Sequence, residues 1–171
     1  MRSLIVTALL LAGSLEAQEF TPPESARASG GVRFGLYGFA ARGGADFEGS
    51  GQGIFSVALD VGHLITDRVR FRPSVEIGVG GGVDTYLANM ELTYRFTPDA
   101  EIAVPYIGFG LGVFGRQGCD ADPGCPGLWV QFALGFEIAM TERMGWMLEY
   151  HGENALRRHR FLVGLTTRRG R

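Results

Sequence analysis

Lysine is absent from this chain, cysteine occurs only twice and histidine only three times. All 16 basic residues are therefore arginine, and with 18 acidic residues they leave a formal net charge of -2. This near-neutral balance, without a basic stripe and interleaved aromatics, indicates no nucleic-acid partner. The chain also has no Gly-rich phosphate loop that opens a helix, no paired metal motif and no nucleophile elbow. The sequence therefore predicts no cofactor and no metal site.

The chain also has no apolar run of about 20 residues, which is the length that a membrane-spanning helix needs. The longest apolar stretch near the start, residues 4–12, follows Arg2 and precedes the sequence Leu-Glu-Ala at residues 15–17. A positive start, a short apolar core and a small-residue cleavage site are typical of a secretory signal peptide. We therefore expect residues 1–17 to be a cleaved signal peptide. Residues 18–30 are polar and contain proline, which indicates a flexible segment.

Glycine and phenylalanine are abundant, with 27 and 12 residues. In residues 105–114, PYIGFGLGVF, bulky apolar residues alternate with Gly108, Gly110 and Gly112. Alternation with period 2 is typical of a β-strand whose two faces meet different environments. Glycine weakens a strand unless another group approaches the backbone closely. A narrow, crowded barrel interior would provide that close approach.

Eight segments carry this alternation, and turn-forming residues separate them. They cover residues 32–40, 54–64, 69–80, 85–96, 105–114, 128–140, 146–153 and 159–167. An even number of strands, joined alternately by short turns and longer connections, is typical of a transmembrane barrel. The sequence predicts an all-β fold, an eight-stranded antiparallel up-and-down transmembrane β-barrel over residues 31–171. Its turns near 66–68, 97–101 and 141–144 would be periplasmic, and its longer connections, near 42–52 and 115–127, external.

The polar face of these segments carries six acidic residues and five arginines. Such near-balance favours a closed interior of hydrogen-bonded ion pairs over the alternative, a solvated outer surface. The opposite face is almost free of charge, as contact with lipid requires. Tyr94, Phe96 and Trp146 lie at predicted periplasmic strand ends, where aromatic rings favour the membrane interface. The predicted interior polar network comprises Arg33, Asp60, Arg70, Arg72, Glu76, Glu91, Arg95, Glu137, Glu149, His151, Glu153 and Arg160.

The chain resembles the small outer-membrane β-barrel proteins of the OmpA/OmpX type. The resemblance is carried by the signal peptide, PYIGFGLGVF, the hairpin LGFEIAMTERMGWMLEY and the closing HRFLVGL. It implies that the protein lies in the outer membrane of a Gram-negative-type bacterium and is a monomer. Its implied partners are outer-membrane lipid, lipopolysaccharide and the outer-membrane assembly machinery. Eight filled strands leave no aqueous channel, which disfavours a general porin. We expect a structural or surface-interaction role through the external loops.

His151 lies on the polar face between Glu149 and Glu153, a spacing that puts the three side chains on one side of a strand. This segment resembles lipid A deacylase barrels, in which a serine nucleophile follows the histidine by two residues and Asn-Ala comes next. Glu153 occupies the serine position, so the histidine has no hydroxyl to activate. The resemblance implies, as an alternative, a lipopolysaccharide acyl-chain hydrolase with a degraded active site, which Ser56 or Ser74 beside His151 would favour. A soluble periplasmic lipid-carrying barrel with an apolar cavity is the second alternative.

Cys119 and Cys125 lie in one loop, with two aspartates between them. In an exported protein this arrangement predicts a disulfide. A metal site is the alternative, but two cysteines without a nearby histidine are too few for structural zinc. The closed loop is small, so the disulfide should stabilise the protein only modestly.

Overall fold

The computed structural model describes residues 33–47, 51–99, 101–119, 125–154 and 156–167. Within them lie eight β-strands: β1 (Arg33–Asp46), β2 (Gln52–His63), β3 (Val69–Val79), β4 (Thr85–Arg95), β5 (Ala103–Arg116), β6 (Gly127–Ala139), β7 (Met144–Glu153) and β8 (Arg158–Thr167). Each strand pairs antiparallel with the next, and β1 pairs with β8 to close the barrel. The predicted eight-stranded antiparallel barrel is therefore confirmed. The expected signal peptide and the segment 18–30 lie outside the described residues.

The two ends of the barrel differ in their connections. One end, here called the turn end, carries the connections 64–68, 96–102 and 140–143. The other, here called the loop end, carries 47–51, 80–84, 117–126 and 154–157, and a disulfide joins Cys119 and Cys125 within the longest of these. Among the described residues, no helix is long and apolar enough to cross a membrane.

Inward and outward positions alternate along the strands because successive side chains of a strand point to opposite faces. In β4 every second residue is buried and every intervening residue is exposed. In the middle of the wall the outward side chains are large and apolar, and they are 38–65% exposed. They are Val57, Leu59, Val75, Ile77, Met90, Leu92, Phe109, Leu111, Val130, Phe132, Leu134, Leu148, Val163 and Leu165.

β1 departs from its predicted course in length and in phase. Residues 42–46 were expected in an external loop, but they pair with both β2 and β8 and continue the strand to Asp46. The pairing register with β2 shifts between Phe34 and Gly38. Leu36, within that interval, is exposed, whereas Ala40, after it, is buried, so the inward phase changes to even positions.

The glycines of β5 lie where another chain segment approaches the backbone. A Cβ atom at Gly112 would overlap the carbonyl oxygen of Ala88 on the neighbouring strand. At Gly108 and Gly110 the same atom would meet the side chains of Glu91 and Asn89. Glycine at these positions therefore gives polar side chains of β4 room inside a narrow barrel.

Candidate functional site

The barrel interior is the candidate site because it concentrates the charged side chains of the chain. Many of the inward positions on the eight strands are polar or charged, and burial removes these groups from water. Such groups need hydrogen-bond or ion-pair partners to be stable. The buried polar and charged residues are Arg42, Asp46, Ser56, Arg72, Ser74, Glu76, Thr85, Asn89, Glu91, Thr93, Arg95, Gln131, Glu137, Glu149, His151, Glu153, Arg158, Arg160 and Thr166.

The residues predicted for the interior network take three kinds of position. Asp60 and Arg70 are partly buried near the turn end. The side chain of Arg33 lies outside the described residues. The other nine are buried inside the barrel: Arg72, Glu76, Glu91, Arg95, Glu137, Glu149, His151, Glu153 and Arg160.

Glu149 is the centre of the network. Its carboxylate accepts hydrogen bonds from the guanidinium groups of Arg42 and Arg72 and from the hydroxyl of Tyr106. Arg72 also donates to Glu91 over 2.8 Å, and its guanidinium lies 5.2 Å from the centroid of the Tyr106 ring. Because β7, β1, β3, β4 and β5 all contribute side chains, these contacts connect walls of the barrel that share no strand pairing.

Arg160 organises the network nearer the loop end. Its guanidinium donates to Asp46 over 3.0 Å, to Glu76 over 2.9 Å and to Glu153 over 2.8 Å. Asp46 also accepts a hydrogen bond from Arg158. Charge-assisted hydrogen bonds of this kind are about twice as strong as neutral ones, so they hold β1, β3, β7 and β8 together across the interior.

An aromatic layer covers the loop end of this network. The rings of Phe114 and Trp129 stack with centroids 4.5 Å apart. The guanidinium of Arg158 lies 5.2 Å from the centroid of Phe114 and 5.9 Å from that of Trp129, within cation–π range. These three side chains narrow the interior below the loop-end connections.

A separate group of ion pairs lies at the turn end. Arg95 donates to both carboxylate oxygens of Glu137, over 3.1 and 2.6 Å. Its Nε atom lies 2.7 Å from Asp99, and Arg70 pairs with both Asp99 and Asp60. Asp99 belongs to a turn, so these pairs also attach the β4–β5 connection to the barrel wall.

Four residues of the network were not predicted from the sequence. Arg42 and Asp46 were assigned to a loop, because the small outward residues between them give no hydrophobic alternation. Arg158 directly precedes the predicted eighth segment, and Tyr106 lies in phase with Gly108 and Gly110 but was not included in the predicted network. The alternation Arg-Gly-Gly-Ala-Asp at residues 42–46 was the available signal, since it places two charged residues in phase with each other.

Ser56 and Ser74, which would favour an enzyme if they lay beside His151, are buried inside the filled barrel. The Ser56 hydroxyl lies 3.3 Å from Oε1 of Glu76, and Nδ1 of His151 lies 3.9 Å from the same oxygen. The Ser74 hydroxyl has no hydrogen-bond partner among the described residues. Ser56 and His151 are both buried, so neither presents an atom at a surface where an acyl chain could bind.

The outer surface carries aromatic side chains near both ends of the barrel. Among the described strand residues that face outward between them, none is Asp, Glu, Lys or Arg. At the turn end, the rings of Tyr94 and Phe96 have centroids 5.4 Å apart, and those of Phe136 and Trp146 have centroids 5.5 Å apart. At the loop end, the ring of Phe161 lies 5.7 Å from that of Phe47 and 5.2 Å from that of Tyr150, measured between centroids. A soluble lipid carrier would instead have its apolar face inside.

No protein-family model and no curated protein sequence matches this chain. Among solved structures, the N-terminal β-barrel domain of Pseudomonas aeruginosa OprF is similar with a TM-score of 0.57 and 15% identity, over 78% of this chain and 98% of that one. Neisserial surface protein A is similar with a TM-score of 0.60 and 13% identity, over 81% and 99%. The outer membrane enzyme PagL has a TM-score of 0.49 and 14% identity, over 75% and 97%, which supports no inference about chemistry. At these identities, the first two similarities show a shared barrel fold.

Proposed function

We propose that this chain is an outer-membrane β-barrel protein, a membrane-embedded scaffold with a structural or surface-interaction role. The proposal rests on the composition of the outward face. Between its two ends it is apolar along every described strand, and it has aromatic rings near both ends. Membrane barrels have an apolar band of about 25 Å between two aromatic girdles, and the described strands, with 10–14 residues, are long enough to cross it.

The filled interior supports a scaffold rather than a pore. An eight-stranded barrel is only wide enough for its own side chains, and here those side chains pair with one another. The aromatic layer of Phe114 and Trp129 lies across the loop end. A protein of this kind presents its connections to the exterior and conducts no solute through its centre.

The loop-end connections are shorter than expected, so the longest of them, residues 117–126, offers the largest surface for an interaction. Residues 42–46 belong to β1, so the first connection shortens to residues 47–51. The connection 117–126 is the longest at the loop end, and the disulfide between Cys119 and Cys125 constrains it. We place this connection outside the cell and the chain termini in the periplasm. Outer-membrane lipid and lipopolysaccharide would surround a monomeric barrel that the outer-membrane assembly machinery inserts.

Surface labelling of intact cells tests this orientation. A short epitope inserted after Gly82, in a loop-end connection, should bind antibody on unbroken cells. The same epitope inserted after Asp67, in a turn-end connection, should bind only after the outer membrane is permeabilised. Labelling of neither epitope on intact cells, with both labelled in the soluble periplasmic fraction, would overturn the proposal.

A further inference from the structure

Three ligand-bearing side chains meet inside the barrel near its loop end. Glu76 lies on β3, and His151 and Glu153 lie on β7, four strands away and therefore across the interior. One oxygen or nitrogen atom from each of them lies within 4.8 Å of the others. Glu76 is 3% exposed and the other two residues are 0% exposed, so these side chains are shielded from bulk solvent.

Two of these buried atoms lack the partners that burial normally requires. Nδ1 of His151 and Oε2 of Glu153 form no hydrogen bond with any described residue. The nearest described carboxylate oxygen to that nitrogen, Oε1 of Glu76, is 3.9 Å away, beyond hydrogen-bond distance. An unsatisfied buried polar atom is destabilising, so a ligand that binds both side chains would stabilise this part of the interior.

The remaining polar atoms of the same side chains are already held in place. Nε2 of His151 lies 3.2 Å from Oε2 of Glu149, which favours a proton on Nε2 and a lone pair on Nδ1. Nη1 of Arg160 binds the other oxygen of each carboxylate, Oε2 of Glu76 and Oε1 of Glu153. Metal ligands in proteins are oriented by this kind of outer hydrogen bond, and the partner of a histidine ligand is a carboxylate, a backbone carbonyl or water.

The charge of the surrounding network also favours a cation at this point. Ion pairs join five carboxylates, those of Asp46, Glu76, Glu91, Glu149 and Glu153, with four guanidinium groups, those of Arg42, Arg72, Arg158 and Arg160. With a neutral imidazole, these described groups carry one more negative than positive charge. An unbalanced buried charge is costly, so an excess of negative charge favours a cation over an anion at this point, and a divalent ion would leave one positive charge in excess.

We propose that Glu76, His151 and Glu153 form a binding site for one divalent first-row metal ion of the zinc class. One imidazole nitrogen and two carboxylate oxygens are a donor set that zinc accepts, with bonds of about 2.0–2.2 Å. Tetrahedral bonds of that length put ligand atoms about 3.4 Å apart. The three ligand atoms, which lie within 4.8 Å of one another, would therefore each move by about 1 Å, through side-chain rotation, to bind one ion. The bound ion joins β3 to β7 across the interior, and these three ligands leave a fourth tetrahedral position for a further ligand.

Metal retention by the folded, untagged barrel tests the site. Protein in detergent is stripped with EDTA, incubated with zinc chloride, gel-filtered and analysed for zinc by mass spectrometry. The wild-type protein should retain about one zinc ion per chain, and Glu153→Gln should weaken zinc binding at least tenfold. Glu91→Gln is the matched control, because it removes an equally buried carboxylate of the same network outside the site and should retain zinc. Equal retention by both variants, or none by the wild-type protein, would refute the site.

A second measurement needs no substitution and therefore does not depend on whether a variant folds. The chain has three histidines, and only His151 lies inside the barrel, while His63 and His159 lie near strand ends. Adding zinc to the wild-type protein should shift the imidazole NMR signals of His151 and leave those of His159 in place. Shifts confined to His63 or His159 would assign the ion to the surface and overturn the proposal.

Discussion

Replacing Glu149 with glutamine tests the interior network at its centre. Glutamine has nearly the same shape, so the substitution removes charge without creating a cavity. The guanidinium groups of Arg42 and Arg72 and the hydroxyl of Tyr106 all donate to the Glu149 carboxylate. After the substitution, these two buried cations keep only their other partners.

The size of the effect follows from those remaining partners. Arg72 retains Glu91 at 2.8 Å, whereas Arg42 retains Glu76 only at 3.4 Å. Removing one partner of a buried ion pair costs about 3–5 kcal/mol, because the other charge stays buried. We therefore expect Glu149→Gln to lower the free energy of unfolding by about 3–5 kcal/mol.

Urea unfolding of the barrel in phospholipid vesicles measures this difference, with folded and unfolded chains separated by their gel mobility. Glu142→Gln is the control, because Glu142 is exposed in a turn and its loss should change the free energy by less than about 0.5 kcal/mol. A loss below about 1 kcal/mol for Glu149→Gln would be typical of a surface ion pair. That result would refute a buried, electrostatically linked interior.

Three further substitutions test the outer face, the packing and the disulfide. Val75→Arg places a charge on the outward face and should lower stability in vesicles by about 2–4 kcal/mol, whereas Val83→Arg, in a connection, should have little effect. Gly112→Ala should cost about 1–3 kcal/mol, because its Cβ would overlap a neighbouring backbone, while Gly43→Ala has ordinary contacts and should cost nothing measurable by urea unfolding. Cys119→Ser opens a small loop and should lower stability by at most about 2 kcal/mol, a difference that reducing agent should reproduce in the wild-type protein.

The barrel could be predicted from sequence because most strands alternate bulky outward residues with small or polar inward ones. β4 and β6 lie within two residues of their predicted bounds for that reason. β1 could not be predicted in full, because its register shift reverses the phase and its later outward residues are alanine and glycine. In such a stretch the outward residues are not more hydrophobic than ordinary loop residues, so the alternation of a strand cannot be detected.

The partners inside the barrel could not be predicted to the same extent. Alternation assigns Glu149 and Arg72 to the polar face, but it does not show which strands meet across the interior. Contacts such as Arg42 with Glu149 depend on the closure of β1 against β8 and on the length of each side chain. The close approach of Glu76 to His151 and Glu153 depends on the same closure, which explains why the sequence predicted no metal site.

Fractionation of expressing cells tests most directly whether this barrel spans an outer membrane with its apolar face in lipid. The membrane fraction is run on a gel with and without heating, since a folded barrel migrates differently from its unfolded chain. We predict that the protein is found in the outer-membrane fraction and that its mobility changes on heating. A soluble periplasmic protein whose mobility does not change on heating would contradict this account.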